Sequence, residues 1–355
     1  EGTVAGQAML VVPYIVCQAV LNLYMKFVMS NISVAPGVTG LPASFLVTGV
    51  QQLVALVVFM FLIANRSLSD RGQDRKASER GNLKARDRVV VCWAAAAFAA
   101  NMSLNNFSLA FIPLSVNQVI RACMPLATAL LSGLSGRQQD STVSEWLIMI
   151  VGVACAVLTV VARTEGQLVA SGGFVFGATL CGLSVICGAI DLVLKQVMRS
   201  ELGIPSREMV GYVAMPAFLL LLVPGVLWSH RVPEAWAVLL GNSQGAFSDL
   251  TVMAKAVSLQ PMVLVLCAFS GVLAFGYNAL TAKLAGRLSA TTTSFVGNFP
   301  TTVLISLLFL EKRLPAGGWG VLLWASMLGN IASFALYNVT RTRRLARQKS
   351  AAGGS

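Results

Sequence analysis

Charge is what this chain has least of. Only 11% of its 355 residues are Asp, Glu, Lys or Arg, while 56% are hydrophobic, and a soluble globule carries nearer a quarter charged. A soluble domain is therefore excluded. Histidine is almost missing too, since His230 is the only one, and the seven cysteines are odd in number, include no C-x-x-C and all fall in apolar stretches. That excludes a disulfide framework and a zinc site, so no metal is expected. Long alternation of apolar and polar residues is absent, which argues against a membrane β-barrel. No Walker motif is present to couple ATP. Gly241-Asn-Ser-Gln-Gly245 spells a nucleophile elbow, but no strand precedes it and no histidine beyond His230 could serve it. The chain is not expected to be an enzyme or to need a cofactor.

Near-continuous apolar runs are what is there. Ten have crossing length, at 8–30, 42–64, 89–111, 114–134, 143–163, 173–197, 208–228, 259–282, 289–310 and 316–338, each close to the ~20 residues that cross a hydrocarbon layer as a helix. The sequence thus predicts an all-α polytopic membrane protein of ten transmembrane helices. The net charge of +12 would suggest nucleic acid in a soluble protein. With both termini in the cytosol, however, nineteen basic residues fall on the cytosolic side and five on the other. Basicity is then an orientation signal, and no nucleic-acid partner is needed.

A faint internal repeat accompanies these spans. Asn22-Leu-Tyr-Met-Lys26 answers Asp191-Leu-Val-Leu-Lys195, Asn106 answers Asn278, and Pro125 answers Pro300, at offsets of 169, 172 and 175. Five helices per copy is an odd number, so the copies would be inverted: repeat one over about 8–163, repeat two over about 173–338, together a transporter domain 1–338 with a basic cytosolic tail 339–355. Such inverted repeats place a substrate site at the membrane midplane.

Two spans carry polar stripes that lipid alone would not tolerate. Thr291, Ser294, Asn298 and Thr301 recur at helical spacing in one; Asn117, Gln118 and Arg121, followed by Pro125, mark the other. Arg121 lies about seven residues, or ~10 Å, into its helix, too deep to snorkel easily. It calls for a wet cavity with an anionic solute or for a salt bridge with Asp191. Lys26 and Lys195 lie nearer helix ends, where snorkelling is ordinary. Tyr277 and Asn278 offer an aromatic face and an amide to a base, or an aromatic at the interface.

The stretch Asn106-Phe-Ser-Leu-Ala-Phe-Ile-Pro-Leu-Ser-Val-Asn-Gln-Val-Ile-Arg-Ala-Cys-Met-Pro125 resembles the helix 3–4 signature of the triose-phosphate and nucleotide-sugar transporter families of the drug/metabolite transporter superfamily. Asn22 and Lys26, Gly40-Leu-Pro-Ala-Ser-Phe45, Tyr277-Asn278 and the ending Ala-Leu-Tyr-Asn338 are similar to it as well. The resemblance implies an antiporter of a phosphorylated sugar compound, with Lys26, Asn117, Gln118, Arg121, Tyr277, Asn278, Asn298 and Thr301 binding the substrate. Sugar-phosphate translocators carry basic residues after the Gly-Asn of helix 9, whereas this chain continues Gly297-Asn-Phe-Pro-Thr301. That departure favours a nucleotide-sugar exchanged for a nucleotide monophosphate, in a Golgi or ER membrane, over a plastid-type sugar-phosphate/phosphate exchanger. A non-transporting regulatory membrane protein of the same fold is the remaining alternative, and homodimerisation is left open.

Overall fold

A computed structural model describes residues 4–69, 85–108, 111–112, 114–136, 142–163, 172–241, 245–297 and 317–352. Its helices are α1 (Val4–Lys26), α2 (Ser44–Ser69), α3 (Ala85–Ser108), α4 (Leu114–Ala122), α5 (Met124–Leu134), α6 (Val143–Arg163), α7 (Gly172–Ser200), α8 (Ser206–Leu227), α9 (Glu234–Leu239), α10 (Asp249–Leu259), α11 (Met262–Arg287), α12 (290–297) and α13 (Gly318–Ala352). Two short antiparallel hairpins complete it, β1 (Ser33–Ala35) with β2 (Val38–Thr39) and β3 (Ser229–Arg231) with β4 (Ala246–Ser248).

The all-α membrane character is found, but not the ten crossings. Among the described residues seven helices are long and apolar enough to cross a membrane: Met9–Asn31, Ser44–Asn65, Ala85–Ser108, Gly173–Ser200, Ser206–Leu227, Met262–Arg287 and Gly318–Arg341. The expected span 114–134 is two helices. Pro125 has no N–H to give the carbonyl one turn back, Cys123 turns tightly onto Ile120 O at 3.1 Å, and the apolar helical part shrinks to Ile120–Leu134. The apolar part of α6 is Val143–Thr159, also short of the ~20 residues needed. Only 289–297 of the expected span 289–310 lies within the described residues. Seven spans do not divide into two five-helix copies, so the inverted-repeat reading falls with the ten-span count. The nineteen-to-five division of charges between two sides, which used that count, falls too.

The chain packs as two compact units, one of residues 1–106 and 194–287, the other of 107–193 and 288–355. In the first, α2, α8 and α11 pack through small residues. A methyl group at Gly211 would overlap the Phe59 ring, and one at Gly271 would meet Val54 at 2.6 Å. Without a hydrophobic drive between helices in lipid, such close approach is what holds them. One end of this unit carries a small apolar core of Val28, Ile32, Val34, Leu41, Trp236 and Val252, formed by the hairpin β1–β2 with α9 and α10. Trp236 donates its indole N–H to Gly40 O at 3.0 Å. Gly40 has φ +76°, and a Cβ there would strike the Met29 carbonyl, so only glycine fits.

The second unit is held differently. Antiparallel α6 and α13 meet along residues seven apart on α6. Thr159 donates to Ser326 Oγ at 3.0 Å, Asn330 Nδ2 to Gly152 O at 2.8 Å, and Arg344 Nε lies 3.1 Å from the fully buried Glu145 carboxylate. Beside this seam Phe295 of α12 stacks on Tyr337 with ring centroids 4.4 Å apart, and Arg341 donates to the Tyr337 hydroxyl. At the start of α7 the Gly177 backbone nests against Phe111, Ile112 and the Ser108 carbonyl.

Candidate functional site

Each unit places its own share of the expected site residues. In the first, Lys26 ends α1 and is exposed. Tyr277 stacks on the buried Tyr14 at 5.5 Å and 19° between planes, so one of its faces is covered by the protein itself. Asn278 is the next residue of α11. It lines a small cleft of about 10 Å³ with Gln52 of α2, Phe98 of α3, Lys195 and Met198 of α7, and Met209 of α8. Lys195 is 5% exposed, Asn278 8% and Gln52 2%.

The geometry of Lys195 is unlike that of an end-of-helix lysine. Its ammonium sits 5.3 Å from the Phe98 ring centroid, within cation–π range, although five residues remain before the end of α7 and a four-carbon stem could have carried the charge outward. The sequence marked this lysine through its repeat relation to Lys26 and its place one helical turn from Asp191. It gave no signal for Gln52 or Phe98, which are brought to it from helices distant in the chain.

In the second unit Asn117 is fully buried and bonded: Nδ2 donates to Ser108 Oγ at 2.8 Å and reaches Cys181 Sγ at 3.3 Å. It ties α4 to the residues before it and to α7. Gln118 is the next residue on the same helix. Arg121 follows Asn117 by one turn, half-buried at the end of α4 where Pro125 interrupts the helix. A guanidinium stays charged at any physiological pH and can grip two oxygens at once, so this interrupted helix holds a permanent cation.

Asn298 and Thr301, with Pro300, lie outside the described residues, as does Ser243 of the elbow-like Gly241–Gly245 stretch. Within the described residues 289–297 several hydroxyls have partners on their own helix. Ser294 Oγ bonds Thr291 O at 2.8 Å, Thr293 Oγ1 bonds Ser289 O at 2.8 Å, and Ser289 caps the helix by accepting from Thr292 N at 3.2 Å. The Ser294 and Thr293 hydroxyls are thus satisfied by their own helix, and no polar surface need face these two.

His230 and Asp249 make an ionic contact outside the spans. His230 Nε2 lies 2.7 Å from Asp249 Oδ1, while Asp249 Oδ2 accepts from the Phe45 and Leu46 amides at 2.6 and 3.1 Å. One buried carboxylate thereby caps the start of α2 and anchors the β3–β4 hairpin. The hydrogen bond to Asp249 raises the His230 pKa above its ordinary 6.5, against burial, which lowers it.

Comparison with known proteins agrees on the class. A probable sugar phosphate/phosphate translocator of Arabidopsis thaliana is 26% identical over 63% of this chain, and the match spans 65% of that relative, under two thirds of its length. UDP-uronic acid transporter 1 of the same plant is 26% identical over 67% of this chain and 71% of its own. One crystal structure aligns with a TM-score of 0.57 over 96% of this chain and 99% of its own, at 14% identity, a likeness of fold alone. The model of the triose-phosphate transporter family matches residues 7–316, and the chain belongs to that family of transporters within the drug/metabolite transporter superfamily.

Proposed function

We propose that this protein exchanges phosphorylated sugar compounds across a membrane, a nucleotide-sugar against a nucleotide monophosphate, in the Golgi or ER. The observation that carries the reading is Arg121: a permanent cation, half-buried at a proline break in an apolar helix, matched to the electrostatics of a phosphate. In the same unit as Arg121, the polar residues Asn117 and Gln118, with Asn298 and Thr301 further along the chain, supply hydrogen-bonding groups for the rest of the ligand in this reading. Sequence supports the nucleotide-sugar over a free sugar phosphate, because the stretch Gly297–Leu310 contains no cation. The relative described as a probable sugar phosphate/phosphate translocator supports the second reading, exchange of a sugar phosphate for phosphate.

Counter-flow uptake into proteoliposomes separates the two. Nucleotide monophosphates should compete with substrate while inorganic phosphate and triose phosphates do not. Equal competition by inorganic phosphate reverses the ranking. Arg121→Ala should abolish uptake and Arg121→Lys retain part of it, since a point charge cannot replace the planar fork. Full uptake by the Ala variant removes Arg121 from the site.

A further inference from the structure

We infer that Arg343 and Arg347, the outward cations of α13, hold the anionic headgroup of a membrane phospholipid where this helix leaves the hydrocarbon layer. The inference does not depend on the transport reading above. It concerns a face of the second unit to which no substrate-binding residue belongs.

The cations of α13 divide between two faces of the helix. Arg341 donates to the Tyr337 hydroxyl and Arg344 lies against the buried Glu145 carboxylate, so these two belong to the seam with α6. Arg343 and Arg347 are exposed, one turn apart. They also continue a stripe. Leu328, Ala332, Leu336 and Val339 are exposed before them at spacings of three and four, and at 3.6 residues per turn all six fall within about 100° of the circumference, opposite the seam. The stripe is apolar as far as Val339 and cationic from Arg343, the change a helix face makes when it passes from acyl chains to headgroups. The membrane span of α13 ends at Arg341. Arg343 and Arg347 lie about 3 and 9 Å past that point along the axis, and the headgroup layer is about 5–8 Å deep on each side, within reach of an arginine stem that bends back. Among the described residues of α5, α6, α12 and α13, Glu145 is the one acidic side chain, and Arg344 occupies it. Charge complementarity therefore selects a net-negative headgroup such as phosphatidylserine. A zwitterionic headgroup would set its own ammonium against the same two arginines.

Lipid binding to the full-length protein in detergent would be followed by native mass spectrometry, titrating dioleoyl-phosphatidylserine against dioleoyl-phosphatidylcholine. Wild type should prefer the serine lipid at least tenfold. A cation at the membrane surface contributes a gain of about fivefold, so Arg343→Gln and Arg347→Gln should each lose about that factor. The double Gln variant should bring the two lipids to near-equal affinity, while Arg343→Lys/Arg347→Lys keeps both charges and should retain most of the preference. Equal affinities in wild type, or an undiminished preference in the double Gln variant, overturn the site. Arg71→Gln/Arg75→Gln removes two charges elsewhere in the sequence and should leave the preference in place; a loss as large as that of the α13 pair would reduce it to net charge and overturn the site. Displacement of the lipid by inorganic phosphate at equal concentration would assign the pair to a soluble anion instead and overturn it too. Should the double Gln variant not insert, wild type alone still decides: raising ammonium acetate from about 0.05 to 0.5 M should cut the preference several-fold through screening, and a preference unmoved by salt would overturn the headgroup contact.

Discussion

The helix pair α2–α8 and the helix pair α6–α13 solve one problem by opposite means. In the first, backbones approach because Gly211 leaves room for the Phe59 ring and Gly225 for Leu46. In the second, side-chain polar groups bridge the helices at Thr159, Gly152 and Glu145. Shape holds one pair and hydrogen bonds hold the other. Lipid tails are as apolar as leucine, so neither pair gains from burying apolar surface alone. The difference is in what each tolerates: a shape-locked pair fails when volume is added, and a bonded pair fails when a partner is removed.

Removing the charged rung should cost most. Glu145→Ala leaves the Arg344 guanidinium beside an apolar gap, and breaking a buried ion pair costs about 3–5 kcal/mol. A fluorescence melt in detergent should show a large loss, while the double variant Glu145→Leu/Arg344→Met should recover most of it. A double variant no better than the single would mean that the rung matters through something other than its uncompensated charge.

Adding volume to the shape-locked pair comes next. Gly211→Ala drives a methyl into the Phe59 ring and should cost about 1–3 kcal/mol, with partial rescue by Phe59→Leu. The same substitution at Gly182, where nothing lies within 4 Å of the added Cβ, should be near neutral. Helix propensity alone favours alanine over glycine, so equal losses at both positions would show that fit against Phe59 is not what is being measured.

Two ionic contacts among the described residues sharpen the comparison through pH. Glu145 is paired with a guanidinium, whereas Asp249 is paired with an imidazole whose pKa is raised above its ordinary 6.5. Because the folded pKa of His230 lies above 6.5, its contribution is full below the unfolded value of about 6.5 and is lost as pH rises through the raised folded value. The loss should be about 1 kcal/mol, the difference between a charge-assisted and an ordinary hydrogen bond. Melts of wild type and His230→Gln between pH 6 and 9 should converge as the pH rises. Parallel curves would assign the dependence to another group.

The smallest effect should be Thr159→Ala. It removes the uncharged rung to Ser326 and should cost about 0.6 kcal/mol, the average for interhelical polar bonds in a membrane. A loss as large as that of Glu145→Ala would erase the distinction between charged and neutral rungs.

How much of this the sequence could show depends on the range of each interaction. The long apolar helices α2, α8 and α11 were legible because composition over twenty residues specifies them. The break in span 114–134 was also signalled, by Pro125, but a run of apolar residues on both sides reads as one crossing when only hydropathy is counted. The stripe Thr291–Ser294 was legible as a face but not as a function, since a hydroxyl's choice between its own backbone and a neighbour leaves no trace in spacing. Glu145 and Arg344 were visible only as a first-turn acid and one of five tail cations. Their pairing depends on α6 and α13 lying side by side, and no local pattern announces it. The cleft at Lys195 has the same cause, with its other polar groups arriving on α2 and α11.

The unbroken run of α13 from Gly318 to Ala352 has a mechanical consequence. Thirty-five residues in one helix make a rod of about 52 Å, whose span ends near Arg341. The part beyond continues the same axis, so it acts as a pointer fixed to the membrane segment. A tilt of about 10° at the Gly318 end would swing Ala352 through roughly 9 Å. Small angular changes inside the membrane would thus arrive at the C-terminal end enlarged, where a spectroscopic label could register them without touching the transport path.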